Sequence, residues 1–224
     1  MSTSFAKRTV RVDGIETIYR LYEPDGVDGA LPVILFLHGA GESGSDGLLQ
    51  TTVGLGPAIV KAPERFPALV VFPQASRGYG WRAFNLDAAF AALDDVMASL
   101  DVDRERVSVT GISMGGYGTW LAAVQQPERF SAAVPVCGGL DRGAAMLTYE
   151  EAARRLASMP QWVFHGDRDD IIPAEESRTM VSALRAAGAD VRYTEYAGVR
   201  HNSWDRAYAE PELAPWLLRQ KRTG

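Results

Sequence analysis

The residues best suited to nucleophilic chemistry lie in the segment 111–115, GISMG, which has the spacing G-x-S-x-G. The segment follows an apolar, β-branched run and opens a helical pattern that ends before Pro127. A sharp strand-to-helix turn of this kind exposes its central serine at a helix N-terminus, and the flanking glycines let the two arms pack closely. The bare motif is common, but its position between strand and helix favours Ser113 as a nucleophile over a glycine-rich helix start that merely packs tightly.

A serine hydroxyl needs a base to take its proton, and the chain contains three histidines, His38, His165 and His201. His38 and His165 follow predicted strands, where we interpret them as structural residues that steady a turn. In strand-turn-helix sites of this kind the order along the chain is serine, then acid, then histidine. Only His201, in "GVRHNSWD", follows both Ser113 and a cluster of acids. We therefore predict that His201 is the base rather than an exposed loop histidine.

The acid cluster is "HGDRDD", in which Asp167, Asp169 and Asp170 follow His165. It could be a metal nest, a solvated turn or the source of one triad acid. The spacing H-G-D-x-D-D is not an established metal-ligand pattern, so we predict no metal, and activity unaffected by EDTA would exclude one. Adjacent residues in an extended loop point apart, so Asp169 and Asp170 do not both reach one imidazole. The residues alone leave either of the two open.

Acyl transfer also requires hydrogen-bond donors for the developing negative oxygen. The N–H of Met114, directly after Ser113, is one candidate. The second should come from the loop "HGAGESGSDG", which follows the predicted strand "PVILFL". Ala40 is the preferred donor in that loop and Gly41 is the alternate. The other interpretation is that this glycine-rich stretch is a flexible surface loop.

The elements that must position these residues alternate along the chain. Residues 8–23 predict a hairpin with Asp13-Gly14 as its turn. Continuous apolar runs then predict parallel strands buried on both faces, separated by amphipathic helices. The helical stretches include "LDAAFAALDDVMASL", "PAEESRTMVSALRAAG" and a tail in which Trp216 and Leu217 would pack. The pattern predicts an α/β fold with an open, mostly parallel sheet covered by helices on both sides. Functional residues gather at the carboxyl ends of such strands.

Composition bounds the class of protein. The 224 residues are 46% hydrophobic and 23% charged, which favours one globular α/β domain over residues 1–224. A net charge of −5 argues against a nucleic-acid partner. The single Cys137 rules out an internal disulfide framework. Apolar runs such as "VILFL" are too short to span a bilayer, and the N-terminus shows no secretory signal. We therefore expect a cytoplasmic protein with no membrane partner.

Taken together, the motifs resemble the α/β-hydrolase fold. More narrowly, residues 30–210 are similar to lidless bacterial esterases, named variously as carboxylesterases, predicted peptidases or prolyl-oligopeptidase-like hydrolases. The matching segments are "LFLHGAGESG", "VTGISMGGYGTW", "WVFHGDRDDIIPAEESRTMVSALRAAGADVRYTEY" and "GVRHNSWD". The resemblance implies an eight-stranded sheet and a triad of Ser113, Asp169 and His201, because the family's acid falls four residues after the strand-end histidine. Arg200 departs from the glycine that often precedes the family's histidine, and it could place a positive group near the site.

The segment between "VPVCGG" and "QWVFHG" is too short for a large cap and predicts one helix at most. We therefore predict an open, shallow site rather than a lipase tunnel. Tyr79 and Trp81 follow a strand end, and Tyr117 lies one turn past Ser113. Each could line a pocket for the acyl or alcohol part or could simply pack, and Trp81 is the strongest candidate.

These residues favour a serine carboxylesterase that forms an acyl-enzyme on small short-chain or aryl esters, without a cofactor. Alternatives are a serine peptidase and a feruloyl or polyester esterase. A dienelactone-type cysteine hydrolase is disfavoured, because the strand-to-helix turn at residues 111–115, the nucleophile elbow, carries Ser113, and Cys137 lies elsewhere. A non-catalytic binding module is the alternative from another class, and labelling by a fluorophosphonate would separate it. The sequence leaves the oligomeric state open.

Overall fold

The computed structural model describes residues 4–222, in which eight strands form one sheet of order β1-β2-β4-β3-β5-β6-β7-β8. Strands β3 to β8 are parallel, and β2 pairs antiparallel with both β1 and β4. The strands are β1 (Phe5–Val12), β2 (Ile15–Tyr22), β3 (Leu31–Leu37), β4 (Leu69–Pro73), β5 (Val102–Ile112), β6 (Ala132–Val136), β7 (Gln161–Gly166) and β8 (Val191–Tyr196). The predicted mostly parallel sheet is confirmed.

The hairpin at the edge of the sheet forms where the sequence predicts it. Its turn residues Asp13 and Gly14 have φ of 49° and 80°, the left-handed conformations that a two-residue turn joining twisted strands requires. The hairpin starts at Phe5, three residues before the predicted boundary at residue 8.

Helices cover both faces of the sheet. They are α1 (Leu55–Lys61), α2 (Phe84–Ser99), α3 (Met114–Gln125), α4 (Arg142–Ala145), α5 (Tyr149–Leu156), α6 (Glu175–Ala186), α7 (Trp204–Ala209) and α8 (Leu213–Arg219). Short 3-10 turns occupy Ala40–Glu42, Leu49–Thr51, Pro63–Arg65 and Pro127–Arg129. Within the described residues, no helix has both the length and the apolarity to cross a membrane.

The segment between β6 and β7 corrects one expectation, since it contains two short helices, α4 and α5, where the sequence predicted one at most. Helix α4 ends at Met146, which has a left-handed φ of 53°. Helix α5 begins at once with a capping box, in which the Thr148 hydroxyl and the Glu151 carboxylate each accept a backbone N–H of the other. A backbone reversal and a strong cap therefore split what one helix would have spanned.

Side chains of the central strands point alternately into two hydrophobic cores, one on each face of the sheet. Val33, Leu35 and Leu37 of β3 face the core beneath α2, α3, α5 and α6. Ile34 and Phe36 face the core beneath α1, α7 and α8. Burial on both faces explains why these strands are continuously apolar. The sheet holds the loops that follow β3, β4, β5, β7 and β8 at its carboxyl edge, and the candidate site residues lie at this edge.

Candidate active site

Ser113 lies in a strained turn between β5 and α3. Its φ of 53° and ψ of −115° fall in a region that residues with a side chain rarely adopt, so the surrounding structure must impose the conformation. Its N–H donates to the Val136 carbonyl of the neighbouring strand at 2.9 Å. The turn lifts the serine hydroxyl out of the sheet at the start of the helix.

The two glycines of the motif are required by close backbone approach. A Cβ at Gly111 would overlap the Gly115 carbonyl oxygen, and a Cβ at Gly115 would overlap the Leu37 carbonyl oxygen of β3. The elbow therefore packs against β3 at a distance that only glycine permits. This is the role that the sequence assigned to both residues.

His201, from the loop between β8 and α7, reaches the serine. Its Nε2 lies 2.9 Å from Ser113 Oγ, and its Nδ1 lies 2.7 Å from Asp169 Oδ2. Because a carboxylate oxygen only accepts, Nδ1 carries the proton and Nε2 is free to accept the serine proton. Side chains from three separate loops thus form one chain of hydrogen bonds from Ser113 to Asp169.

Asp169 is held as an ionised acid. Its side chain is 0% exposed, and its Oδ1 accepts the backbone N–H groups of Ile171 and Ile172, each at 2.9 Å. Burial raises the pKa of this carboxyl, but the hydrogen bonds from His201 and the two N–H groups outweigh it and leave the pKa below its usual value. The group is therefore charged at neutral pH and fixed in orientation.

The other two aspartates have different partners. Asp167 accepts the Gly198 N–H at 2.7 Å and donates its own N–H to the Tyr196 carbonyl at 3.1 Å, which ties the loop after β7 to the loop after β8. Asp170 lies 3.6 Å from Arg200 in an exposed ion pair. The structure thus brings Asp169 to the imidazole and directs Asp170 toward Arg200, a choice that residue spacing alone left open.

His38 steadies the end of β3. Its Nε2 accepts the Ala75 N–H at 2.9 Å, and its Nδ1 donates to the Gly39 carbonyl at 2.6 Å. Burial lowers the pKa of His38 to about 4, so the ring is neutral. It links the loops after β3 and β4, as a structural histidine should.

His165, at the end of β7, is likewise buried, and its Nδ1 lies 2.7 Å from Ser177 Oγ. It does not form a metal nest with the three aspartates, because Asp167 and Asp170 bind other partners. Among residues 4–222, the atoms that could jointly hold a metal within 4.8 Å of one another belong to Cys137, Asp169 and His201. Two of these three already share the hydrogen bond of the candidate triad.

Cys137 follows β6 and is fully buried beside Asp169 and His201. Burial raises the pKa of its thiol to about 12. Since the thiolate is the reactive form of cysteine, the side chain is held in its inert form. Cys137 therefore lacks the electrostatic environment of a cysteine nucleophile.

The loop after β3 brings the predicted oxyanion donors beside the elbow. Ala40 begins the 3-10 turn Ala40–Glu42, and Ala40, Gly41 and Met114 line one cavity of about 480 Å³. Met114 is the first residue of α3, where a backbone N–H lacks a partner within its own helix. The candidate donors thus border a shared space at the elbow.

Gln74 anchors that loop and was missed by the sequence reasoning. Its Nε2 donates to the Glu42 carbonyl at 3.0 Å, and its Oε1 accepts the Gly47 N–H at 2.7 Å. A glutamine directly after the apolar strand "ALVVFP" was the available signal, since a polar group at a buried strand end needs partners.

A larger cleft of about 640 Å³ opens beside Met114 and Tyr117. Trp81 forms part of its wall but is 2% exposed, because its ring packs on Gly118 and its Nε1 donates to the His38 carbonyl at 2.9 Å. Trp81 is thus mainly a packing residue. Tyr79, also on the wall, is 71% exposed.

The polar residues of this cleft were not foreseen from the sequence. They are Arg82, Asp141, Arg142 and Glu176, which come from three distant segments. Arg82 pairs with Asp141, and Glu176 accepts a hydrogen bond from the Tyr149 hydroxyl at 2.6 Å. Burial and the nearby carboxylates raise the pKa of Tyr117 to about 12. The cleft is therefore polar and charged rather than an apolar tunnel.

Comparison with known proteins agrees with this architecture. A sequence profile of the dienelactone hydrolase family matches residues 61–211, more than half of the chain. The crystal structure of a thermostable esterase superposes with a TM-score of 0.86 at 34% identity, covering 97% of this chain and 63% of that one. The chain is also 27% identical over 199 residues to an uncharacterized secreted protein of Arthroderma benhamiae and 26% identical over 230 residues to the uncharacterized peptidase YuxL of Bacillus subtilis.

The alignments with these two relatives cover 76% and 85% of this chain but only 21% and 34% of theirs. The similarity therefore concerns one part of much longer proteins. The cysteine chemistry that the sequence disfavoured is that of a dienelactone-type enzyme, yet here a serine occupies the elbow and Cys137 is buried away from solvent. With its eight-stranded sheet, its strained G-x-S-x-G turn and the profile match, the chain belongs to the dienelactone hydrolase family and has the α/β-hydrolase fold.

Proposed function

We propose that this hydrolase is a serine carboxylesterase that works through an acyl-enzyme. The observation that carries the proposal is the chain of hydrogen bonds from Ser113 through His201 to Asp169, with distances of 2.9 and 2.7 Å. These are the distances at which a base can take a proton from a nucleophile.

In the first half-reaction, Ser113 Oγ attacks the ester carbonyl carbon while His201 Nε2 takes the hydroxyl proton. The tetrahedral intermediate collapses as the bond to the alcohol oxygen breaks, and His201 gives that oxygen its proton. Water then attacks the acyl-enzyme by the same route and releases the acid and free Ser113. Asp169 keeps the Nδ1–H tautomer of His201 and stabilises the imidazolium formed in each half.

The negative oxygen of each intermediate would be bound by two backbone N–H groups. We assign these to Met114 and Ala40, with Gly41 as the alternate to Ala40. The common cavity that these residues border supports the assignment. Fixed donors aimed at the developing charge need no reorganisation during the reaction, which is why they lower the barrier.

The open cleft supports small esters with a short acyl chain or an aryl group. The side chain of His201 is 18% exposed, so the reacting atoms are accessible without the opening of a large cap. The cleft beside Tyr117 offers charged and hydroxyl groups, which suit a polar acyl or alcohol part better than a long alkyl chain. Feruloyl esters, polyesters and acylated peptides are the alternative substrates that such a site admits.

Labelling with a fluorophosphonate, followed by peptide mapping, tests the nucleophile. We expect a single adduct on Ser113 in the native protein and none in His201→Ala. Absence of labelling in an intact, folded protein would instead favour a non-catalytic binding module. A panel that varies the acyl and alcohol parts, with an acylamino acid anilide as the peptidase arm, then ranks the substrate classes.

We propose a small-molecule ester as the partner, with no nucleic-acid or membrane partner, and a cytoplasmic location. The Arthroderma relative is named a secreted protein, so fractionation of the source cells is the measurement that decides the location.

A further inference from the structure

His165 is a buried histidine that the proposed mechanism does not use. Its side chain is 0% exposed, and it precedes Asp169 by four residues at the end of β7. Its Nε2 lies 2.9 Å from the Ile172 carbonyl oxygen and 3.2 Å from Asp169 Oδ2. The ring therefore contacts the candidate triad acid on the side away from solvent.

The partners of His165 determine where its proton lies. Both groups facing Nε2, the Ile172 carbonyl and the Asp169 carboxylate, can only accept, so Nε2 must carry hydrogen. Nδ1 then accepts from the Ser177 hydroxyl at 2.7 Å, a shorter contact than the 3.2 Å from that hydroxyl to the Gly138 carbonyl, its other acceptor. Burial lowers the pKa of His165, which keeps the ring singly protonated. His38 adopts the opposite tautomer, because its Nε2 accepts the Ala75 N–H.

The Asp169 carboxylate accepts three hydrogen bonds, and the His165 ring faces it as a further polar neighbour. Oδ1 receives the N–H groups of Ile171 and Ile172, and Oδ2 receives His201 Nδ1 at 2.7 Å. His165 Nε2 lies 3.2 Å from Oδ2, slightly farther than from the Ile172 carbonyl oxygen at 2.9 Å. The oxygen that orients the catalytic base is thus shared between two imidazole rings. A second N–H that faces this oxygen helps to fix its position and stabilises its negative charge.

We propose that His165 is a positioning residue for the triad acid, through an Nε2–H bond that is shared between the Ile172 carbonyl and Asp169 Oδ2. The proposal rests on the esterase function proposed above. The bond holds the carboxylate in line with His201 Nδ1. It also weakens the attraction of the carboxylate for the His201 imidazolium that forms in each half-reaction.

Two substitutions separate this role from simple packing. In His165→Gln the amide nitrogen falls near the position of Nε2 and can still donate to Asp169. In His165→Asn it falls near Nδ1, which keeps a partner for Ser177 but leaves Asp169 Oδ2 with a single donor.

We expect His165→Gln to retain kcat within about threefold and the acid limb of the kcat/KM pH profile. We expect His165→Asn to lower kcat roughly tenfold or more, the scale of a lost hydrogen bond to a charged group, with KM little changed. Its acid limb should move to higher pH. If the two variants lose activity in the opposite order, or if neither moves the acid limb, the positioning role is refuted.

A measurement on the wild-type protein keeps the test independent of turnover and of variant folding. ¹⁵N NMR of the imidazoles should show His165 protonated at Nε2 and His38 protonated at Nδ1. A His165 ring protonated at Nδ1 alone would overturn the proposal. Failure of the esterase function itself would appear separately, as Ser113→Ala with undiminished ester hydrolysis.

Discussion

Replacing Asp169 by asparagine should disable the base without removing it. Because Oδ1 accepts two backbone N–H groups, the amide oxygen of Asn must take that position. The amide NH₂ then occupies the place of Oδ2 and points its hydrogens at His201 Nδ1. Two donors cannot face each other, so His201 moves its proton to Nε2, where it can no longer accept from Ser113. Loss of a triad acid through the wrong tautomer costs about 10⁴-fold in kcat, or about 5.5 kcal/mol in the barrier.

The matched control is Asp170→Asn, one residue along the chain. Asp170 and Arg200 have side chains 52% and 78% exposed, and exposed ion pairs contribute at most about 1 kcal/mol. We expect this variant to stay within about twofold of wild type in hydrolysis of p-nitrophenyl acetate. Both variants should show wild-type circular dichroism spectra. A reversal of the two results, or full activity in Asp169→Asn, would refute the assignment of the acid.

Three further outcomes follow from the same geometry. Gly115→Ala should destabilise the fold by several kcal/mol, since its Cβ would overlap the Leu37 carbonyl. The control is Gly143→Ala, whose Cβ would have no neighbouring atom nearer than 3.7 Å and which should unfold in urea near the wild-type midpoint. The free energy of unfolding should decrease as pH falls from about 6.5 toward 4, because buried His38, with a pKa of about 4, stays neutral while this histidine takes up a proton in the unfolded chain. His38→Gln should weaken this pH dependence, and equal stability of the wild type at pH 7 and pH 5 would contradict the expectation. Native Cys137 should resist iodoacetamide at pH 8, because burial holds its pKa near 12, and react once the protein is unfolded; rapid native alkylation would show that the thiol is active.

Local signals in the sequence predicted the backbone turns of the fold, including the turn that carries Ser113. Glycines 111 and 115 specified the elbow because only a residue without a side chain tolerates the approach of the Leu37 carbonyl. Asp13-Gly14 specified the hairpin turn through its two positive φ angles. In each case a local backbone geometry requires a particular residue type, so the turn can be predicted from the sequence without knowledge of the tertiary structure.

Convergence of distant side chains was harder to predict. The choice of Asp169 over Asp170 depended on a family resemblance, since spacing alone does not show which carboxylate points inward. Gln74 and the pair Arg82–Asp141 were missed, because each forms contacts between loops that are neighbours only in the folded sheet. The split of α4 from α5 depended on the left-handed residue Met146 and on the capping box of Thr148 and Glu151 that follows it, of which only the capping box is visible as a sequence motif.

The central claim is that Ser113 is the nucleophile of an ester hydrolase. Hydrolysis of p-nitrophenyl acetate by Ser113→Ala, with Cys137→Ala as the matched control for a thiol nucleophile, tests it most directly. The account predicts that the first variant falls at least about 10³-fold, to the level left by binding alone, while the second retains wild-type turnover. Wild-type turnover in Ser113→Ala, or its loss in a folded Cys137→Ala, would contradict the account.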